Sequence, residues 1–144
     1  MNWFQEISED KYLYSEFFAF LDQYGLSGLR QALLLYSGAQ EEYICKTRVS
    51  ISKLKISDIY CIKIKKHNIS VYTEQHTYQK YGTLSSELSR LVRHGFIRCS
   101  QNCIVSLEKI KTIRNDEIIL KNNIPVHMSR NYAPKVIIAF AHSR

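Results

Sequence analysis

The chain is predicted to fold as a mainly β protein with a few helices, preceded by an N-terminal helical hairpin. Residues 9–36 repeat apolar side chains at the spacing of a helix, whereas residues from about 46 onward alternate apolar and polar side chains between short polar turns. With 144 residues, 45% of them apolar, the chain is long enough for one domain with its own core and a small appendage.

The N-terminal hairpin is predicted from two amphipathic segments. The first helix spans residues 9–24, with Ser8 as its N-cap and Gly25 as its stop. The second spans Gly28 to Tyr36, with Ser27 as its cap and Gly38 beyond its end. The apolar stripes consist of Leu13, Phe17, Phe20, Leu21 and Tyr24 in the first helix, and Leu29, Ala32, Leu33 and Tyr36 in the second.

Three strands are predicted next. Residues 62–65 and 69–73 alternate with a period of two around the polar turn 66–68, which is typical of a hairpin. Residues 77–81 form a short third strand. A helix follows over residues 84–94, because its leucines share one face, Thr83 can cap it and Gly95 can end it.

The C-terminal part is predicted to contain two more hairpins and a helix. Short strands at 96–99 and 103–105 flank the loop Ser100–Asn102. Strands at 117–120 and 124–127 flank residues 121–123, whose two asparagines tolerate a positive φ. The apolar residues 136–140 complete the chain as a terminal helix.

The N-terminal part of the sequence is acidic and the rest is basic. Residues 1–45 carry 2 basic and 7 acidic side chains, a balance of −5, whereas residues 46–144 carry 18 basic and 6 acidic ones, a balance of +12. We therefore expect two units, 1–45 and 46–144, with different partners. A basic domain of this kind favours a polyanion such as nucleic acid.

Several functional classes are disfavoured by the sequence. No apolar run is long enough to span a bilayer, and the acidic N-terminus is unlike a signal peptide, so we expect a cytoplasmic protein without a membrane partner. The four cysteines suggest free thiols rather than a disulfide framework. Glycine-rich phosphate loops and hydrolase or metalloprotease motifs are missing, so we expect no enzyme, no cofactor and no metal.

Three polar loops carry side chains suited to nucleic acid: Lys65–Asn68, Ser100–Asn102 and Ser129–Asn131. Arg130 can bind guanine through two hydrogen bonds, Gln101 or Asn102 can pair with adenine, and His67 can donate to or accept from a purine edge. The lysines Lys65, Lys66, Lys121 and Lys135 are better suited to phosphates, which orient a protein without reading sequence.

Two of these loops lie in segments that resemble the LytTR type of bacterial DNA-binding domain. The first segment runs from Phe96-Ile97-Arg98 through Ser100-Gln101-Asn102 to Cys103-Ile104-Val105-Ser106. The second is Ile124-Pro125-Val126-His127-Met128-Ser129-Arg130-Asn131-Tyr132. With Ile59–Ile62 and Leu84–Leu88 as further matching apolar positions, the resemblance covers about residues 46–142.

The resemblance implies an elongated stack of small antiparallel β-sheets whose loops enter successive major grooves of duplex DNA. Carried onto this sequence, the family's contacts fall on His67, on Gln101 with Asn102, and on Arg130, supported by Ser100, Ser129 and Asn131. The chain departs from the family pattern at Ser100-Gln101, where a His followed by Arg or Asn is common, and at Ser106, where Asn is common. The preferred DNA sequence is therefore expected to be shifted.

The leading hypothesis is a bacterial transcription regulator that binds duplex DNA sequence-specifically, as a homodimer at least on DNA. The 45 residues ahead of the basic domain cannot hold a phosphorylatable receiver domain, so the hairpin is expected to dimerise the protein or dock on a partner protein, unless it merely covers the β-domain. The second hypothesis is an interaction module of the same family that has lost DNA binding and acts as an inhibitor.

The sequence also permits other roles for these residues. Arg130 could pair with Glu117, Gln101 and Asn102 could be ordinary turn formers, and His67 could be a solvated turn residue. RNA binding would need exposed aromatic side chains among Tyr60, Tyr72, Tyr78 and Tyr81. Cys99 and Cys103, with His94 and His127, could form a zinc site or a redox switch, although their spacing is not a zinc signature.

Overall fold

Helices occupy the first part of the chain and strands most of the rest. The structure is a computed structural model that describes residues 2–143, apart from the side chains of residues 3, 4 and 37–40. The chain forms two compact units, of which the first ends at Ser37 and the second begins at Gly38. No helix in this described part of the chain is both long and apolar enough to cross a bilayer.

The first unit contains α1 (Trp3–Glu9) and most of α2 (Lys11–Gln40), whose last three residues belong to the second unit. The Asp10 carboxylate accepts a hydrogen bond from the Leu13 amide at 3.0 Å and so caps α2, whereas the predicted cap Ser8 lies inside α1. Gly25 breaks α2 with non-helical dihedral angles (φ 68°, ψ −169°), at the predicted stop. The second segment continues to Gln40, so Ser27 lies inside it and the predicted end at Tyr36 was too early.

The described residues of the second unit after α2 form ten strands and two helices. The strands are β1 (Glu42–Lys46), β2 (Ile51–Lys55), β3 (Cys61–Lys65), β4 (Asn68–Tyr72), β5 (Thr77–Tyr81), β6 (Phe96–Ser100), β7 (Cys103–Ser106), β8 (Ile110–Arg114), β9 (Glu117–Leu120) and β10 (Pro125–His127). The helices are α3 (Leu84–Leu91) and α4 (Ala133–His142). All strand pairs are antiparallel, in sheets of order β1-β2, β10-β9-β8 and β5-β4-β3-β7-β6. The predicted class of mainly small antiparallel sheets with a few helices is confirmed.

The predicted cap and stop of α3 are confirmed in atomic detail. The Thr83 hydroxyl oxygen accepts a hydrogen bond from the Ser86 amide at 3.2 Å. The helix passes into a short 3₁₀ turn at Val92–His94 and ends at Gly95, whose φ of 81° is a left-handed conformation that glycine adopts without steric cost.

The five-stranded sheet is covered on both faces, because its strands carry buried side chains that alternate between two cores. On one face Ile62, Ile69 and Ile104 join side chains from β1, β2 and α3. On the other face Cys61, Cys103 and Val105 join side chains from the three-stranded sheet and from Val136 of α4. This two-sided burial fixes the register of the central strands, since a slip of one residue would exchange the two cores.

A buried polar cluster holds β1 against α3 and β5. The Tyr43 hydroxyl donates a hydrogen bond to the Glu87 carboxylate, whose other oxygen lies 2.9 Å from the Lys80 ammonium. Burial, followed by the hydrogen bond with Glu87, raises the pKa of Tyr43 far above its usual value, so this hydroxyl keeps its proton. Just upstream, the Glu41 carboxylate lies 3.0 Å from both Arg93 and His94. Residues 41–46 are thus bonded into the second unit.

Candidate nucleic-acid interface

The first predicted loop is the turn between β3 and β4. Lys65 pairs with Asn68 in the ladder, so Lys66 and His67 form a two-residue connection in which Lys66 adopts a positive φ of 58°. All four side chains of this turn are exposed. The His67 carbonyl accepts a hydrogen bond from the Gly82 amide at 3.1 Å, which ties the turn to the end of β5.

The second predicted loop is the turn between β6 and β7. Ser100 pairs with Cys103, which leaves Gln101 and Asn102 exposed at the tip while Ser100 is half-buried. The ladder register shifts between Arg98 and Ser100, so Cys99 is an extra residue that forms a β-bulge. A bulge turns a backbone carbonyl out of the regular ladder and frees it for another partner.

The third predicted loop joins β10 to α4. Arg130 and Asn131 are exposed, and Ser129 is half-buried. The Ser129 carbonyl accepts hydrogen bonds from the amides of Tyr132 and Ala133, at 3.1 and 3.0 Å. These bonds close a compact turn that leads directly into α4, so the backbone of Arg130 is held at both ends.

Two backbone hydrogen bonds bring the three loops together. The Ile64 amide donates to the Asn102 carbonyl at 3.0 Å, and the Ser129 amide donates to the carbonyl of the bulged Cys99 at 3.0 Å. Because β3 and β7 are antiparallel neighbours, the turns that follow β3 and precede β7 lie at the same end of the sheet. The tips of these two turns are separated by two strand spacings, roughly 10 Å. We call the three loops together the loop end.

A fourth turn, between β8 and β9, reaches the loop end and was not predicted from the sequence. The Met128 amide donates to the Asp116 carbonyl at 2.8 Å, and Glu117 pairs with His127, so Asn115 and Asp116 lie beside the last strand before Ser129. The Asn-Asp pair at 115–116 is a typical turn signal, but residues 110–114 before it do not alternate, since two polar residues separate Ile110 from Ile113.

Cations dominate the loop end. Lys65, Lys66 and Arg130 are all exposed there. The ion pairs among residues 2–143 do not include Arg130, so the alternative pairing with Glu117 is not formed. Between Gly38 and the C-terminus the sequence has 18 basic and 8 acidic side chains, a balance of +10. An anionic backbone is therefore attracted to this unit.

The remaining predicted lysines and Arg98 lie apart from these tips. Lys121 is exposed in the turn between β9 and β10, at the opposite end of β9 from Glu117. Lys135 is exposed in the first turn of α4, one turn beyond Arg130. Arg98 is half-buried in β6, and its Nε atom is buried without a hydrogen-bond partner among the described residues.

The cysteines behave as core residues. Cys61, Cys99 and Cys103 are all buried, and the described residues contain no cluster of His, Cys, Asp or Glu that could hold a metal ion. The pKa of Cys61 is raised by a hydrogen bond with Cys103 and by burial. For Cys103, a hydrogen bond with Cys61 lowers the pKa, but a hydrogen bond with Cys99 and burial outweigh it and raise the pKa to about 12. Such thiols are poor nucleophiles at neutral pH.

The tyrosines do not form a stacking platform on a sheet face. Tyr60 is buried, and Tyr72 and Tyr78 are half-buried beneath neighbouring side chains. Among the four tyrosines considered for RNA binding, Tyr81 alone is largely exposed, with 58% of its surface accessible at the end of β5. The covered sheet faces leave the exposed turns as the polar surface best suited to a nucleic acid.

Comparison with known proteins agrees with the fold. Residues 50–139 match the family model of the LytTr DNA-binding domain. The chain is 31% identical over 80 residues to the sensory transduction protein LytT of Enterococcus faecalis, an alignment that covers 52% of this chain and 33% of the relative. The chain therefore matches about a third of that protein's length.

A solved structure has the same fold. It is described as the LytTr DNA-binding domain of a methyl-accepting/DNA response regulator from Bacillus cereus. The two superpose with a TM-score of 0.61 and 24% sequence identity, over 69% of this chain and 96% of the other. At 24% identity this likeness establishes the fold but not which residues of this chain contact DNA.

Proposed function

Because the chain belongs to the LytTr DNA-binding domain family, we propose that it is a transcription regulator that binds duplex DNA sequence-specifically through its loop end. The observation that carries the proposal is the convergence of three polar, exposed loops at one end of a rigid sheet, linked by two backbone hydrogen bonds of 3.0 Å. Reading loops held in this way lose little conformational entropy on binding.

Each loop has a distinct role in this proposal. Arg130 binds a guanine edge through two hydrogen bonds, Gln101 or Asn102 binds an adenine edge, and His67 contacts a purine edge. The remaining contacts position the protein on the phosphodiester backbone; they come from Lys65, Lys66, Ser100, Ser129 and Asn131.

We further propose that the protein acts as a homodimer on DNA and that the helical first unit contributes to its assembly or binds a partner protein. Tyr12, Leu26 and Tyr36 of α2 are 80%, 74% and 66% exposed, which is unusual for large apolar side chains. The described residues ahead of β1 are helical and hold no receiver-type parallel sheet, so the proposal assigns this stretch to association rather than to phosphorylation. We propose the bacterial cytoplasm as the location of this protein.

The test is selection of bound sequences from a random duplex pool at roughly 150 mM salt, where non-specific binding is weakened. Wild type is compared with Arg130→Ala, with Arg130→Lys, and with Lys121→Ala as a control on an exposed cation at the far turn. We expect a defined motif for wild type and for the Lys121 variant. Both Arg130 variants should lose selectivity at one base pair, because lysine keeps the charge but not the two-bond geometry.

The discrimination lost at that base pair should be about 1–3 kcal/mol, the contribution of one bidentate contact. If wild type and both Arg130 variants select the same motif, Arg130 does not contact a base that the protein reads. Retention of DNA without any enrichment by wild type would contradict sequence-specific binding. In that case the alternative function, an interaction module without specific DNA binding, is favoured by the exposed apolar residues of α2.

A further inference from the structure

The connection between β1 and β2 carries an arginine at a tip that is closed by its own hydrogen bonds. The Thr47 amide donates to the Ser50 carbonyl at 2.9 Å, and the two hydroxyl groups lie 3.1 Å apart. The Val49 amide also donates to the Thr47 hydroxyl at 3.4 Å. Arg48 is exposed at this tip and takes part in none of the ion pairs among residues 2–143.

This tip faces β5 and the first residue of β4 across a groove. The groove is lined by residues 47–50 on one side and by β5 and Asn68 on the other. Asn68 belongs to the turn that carries His67, and it pairs with Tyr81, the exposed last residue of β5. The groove therefore connects the tip that carries Arg48 with Asn68 and Tyr81, which lie next to the turn that carries His67.

The electrostatics of the groove favour an anion. None of the residues that line it is acidic. Its other cation, Lys80, is already bound to the Glu87 carboxylate at 2.9 Å and has only 16% of its side chain accessible. Arg48 is thus the available cation of the groove, and the hydroxyl groups of Thr47 and Ser50 beside it can donate to the same anion.

We infer that the DNA interface extends past β5 to the tip of the β1–β2 hairpin, where Arg48 binds a backbone phosphate outside the base pairs read by the three loops. This inference rests on the proposed function and deepens it, since it names a contact that adds affinity without adding sequence information. The ligand is a phosphodiester of the flanking duplex.

The experiment measures the affinity of the full chain for its selected site over a series of salt concentrations, using fluorescence anisotropy. Wild type is compared with Arg48→Ala, Arg48→Lys and, as a matched control, Lys55→Ala, which removes an exposed cation from the other end of the same two strands. Loss of one phosphate contact should weaken binding roughly five- to tenfold for all sequences and make the log–log salt slope shallower by about 0.9. Lysine should restore most of the affinity.

Shortening the duplex locates the contact. Base pairs are removed one at a time from each end of the selected site, and wild type should lose affinity in a single step when the phosphate bound by Arg48 is removed. Arg48→Ala should lack that step, whereas Lys55→Ala should retain it. Circular dichroism of each variant checks folding, which we expect to be unchanged because both side chains are exposed.

The outcomes separate the two proposals. If wild type selects a motif but Arg48→Ala matches it in affinity, salt slope and response to shortening, the extension to Arg48 is wrong and the three-loop interface stands. A weaker Arg48→Ala that still shows the wild-type shortening step also overturns the phosphate contact. If wild type selects no motif at all, the proposed function itself fails.

Discussion

The three residues proposed to read DNA combine exposed side chains with a backbone that buried neighbours hold in place. His67 lies two residues before Ile69, Gln101 two before Cys103, and Arg130 two after Met128, and all three of these neighbours are buried. Each exposed tip is therefore anchored within two positions. This arrangement supplies the preorganised donors and acceptors that base recognition needs.

The buried carboxylate of Glu87 has the opposite role, since it stabilises the fold and is only 6% exposed. Its partners are Tyr43 and Lys80. Glu87→Ala removes the carboxylate partner of the buried Tyr43 hydroxyl and of the largely covered Lys80 ammonium, so we expect it to lower the free energy of unfolding by about 3–5 kcal/mol. Urea denaturation followed by circular dichroism measures this loss.

Glu108→Ala is the matched control for that prediction. Glu108 lies in the 3₁₀ turn Leu107–Lys109, where it is exposed and forms none of the ion pairs among residues 2–143. We expect a change within about 0.5 kcal/mol, as is usual for surface positions. Equal losses in the two variants would mean that the cluster around Glu87 contributes nothing beyond an ordinary surface residue.

Among the secondary-structure elements, the bulge in β6 has the largest consequence for the interface. The extra residue Cys99 presents its carbonyl to the Ser129 amide, and this bond attaches the β10–α4 loop to the β6–β7 turn. β6 is also an edge strand of its sheet, so its outward carbonyls are free for such a bond. The bond holds the backbone of Ser129, the residue before Arg130.

Ser129→Pro tests this attachment, with Ser129→Ala as its partner variant. Proline has no amide hydrogen and so removes the bond to Cys99, while alanine keeps it. We expect Ser129→Pro to reduce DNA affinity roughly tenfold and to weaken selectivity at the base pair read by Arg130, because one net backbone hydrogen bond is worth about 0.5–1.5 kcal/mol. Ser129→Ala should reduce DNA affinity and selectivity much less, because it keeps the amide bond to Cys99.

Competition binding with the selected site and with a site mutated at that base pair provides the measurement for both Ser129 variants. Similar affinities for proline and alanine would mean that the amide bond does not position Arg130. Equal melting temperatures for the two variants would confirm that the difference arises at the interface rather than from unfolding.

At the scale of the whole molecule, the two units differ in charge and in exposed surface. Residues 1–37 carry 2 basic and 5 acidic side chains, a balance of −3, against +10 for the remainder. Large apolar side chains are exposed along α2, including Tyr12, Leu26 and Leu33. A surface of this kind is costly in water and is typical of an association site. It favours assembly through the helical unit.

We predict that the free protein forms dimers through α2 and that Leu26→Glu/Leu33→Glu shifts it to monomers. Both leucines are largely exposed, at 74% and 60%, so charged replacements should be tolerated by the unit but not by an apolar interface. Size-exclusion chromatography with light scattering at two concentrations gives the mass. The control pair Lys111→Glu/Lys121→Glu introduces the same number of acids on the three-stranded sheet and its turn and should remain dimeric.

A wild-type protein that stays monomeric at both concentrations would contradict this prediction. If deletion of the helical unit then unfolded the remaining chain, the unit would be identified as a cover for the β-domain. Association of the double glutamate variant to the same extent as wild type would place the interface elsewhere.

The sequence alone predicted the elements whose signals are local. Thr83 and Gly95 mark the beginning and end of α3 because a cap and a left-handed residue act within one turn of helix. Alternation over residues 62–72 predicted the hairpin that carries His67. The exposed positions of Gln101, Asn102 and Arg130 also follow from local polarity between apolar strands. Their roles on DNA stay a prediction.

The sequence did not reveal β1, β2 or β8, because short strands with mixed polarity resemble loops until a partner strand is known. Tertiary structure alone decided that Glu41 and Glu42 belong to the basic unit, where Glu41 is bound by Arg93 and His94. It also decided that the Cys99 carbonyl binds the Ser129 amide and that Arg48 and Asn68 line the same groove. These are contacts between residues far apart in the chain, and their formation depends on the packing of the whole unit rather than on any local pattern.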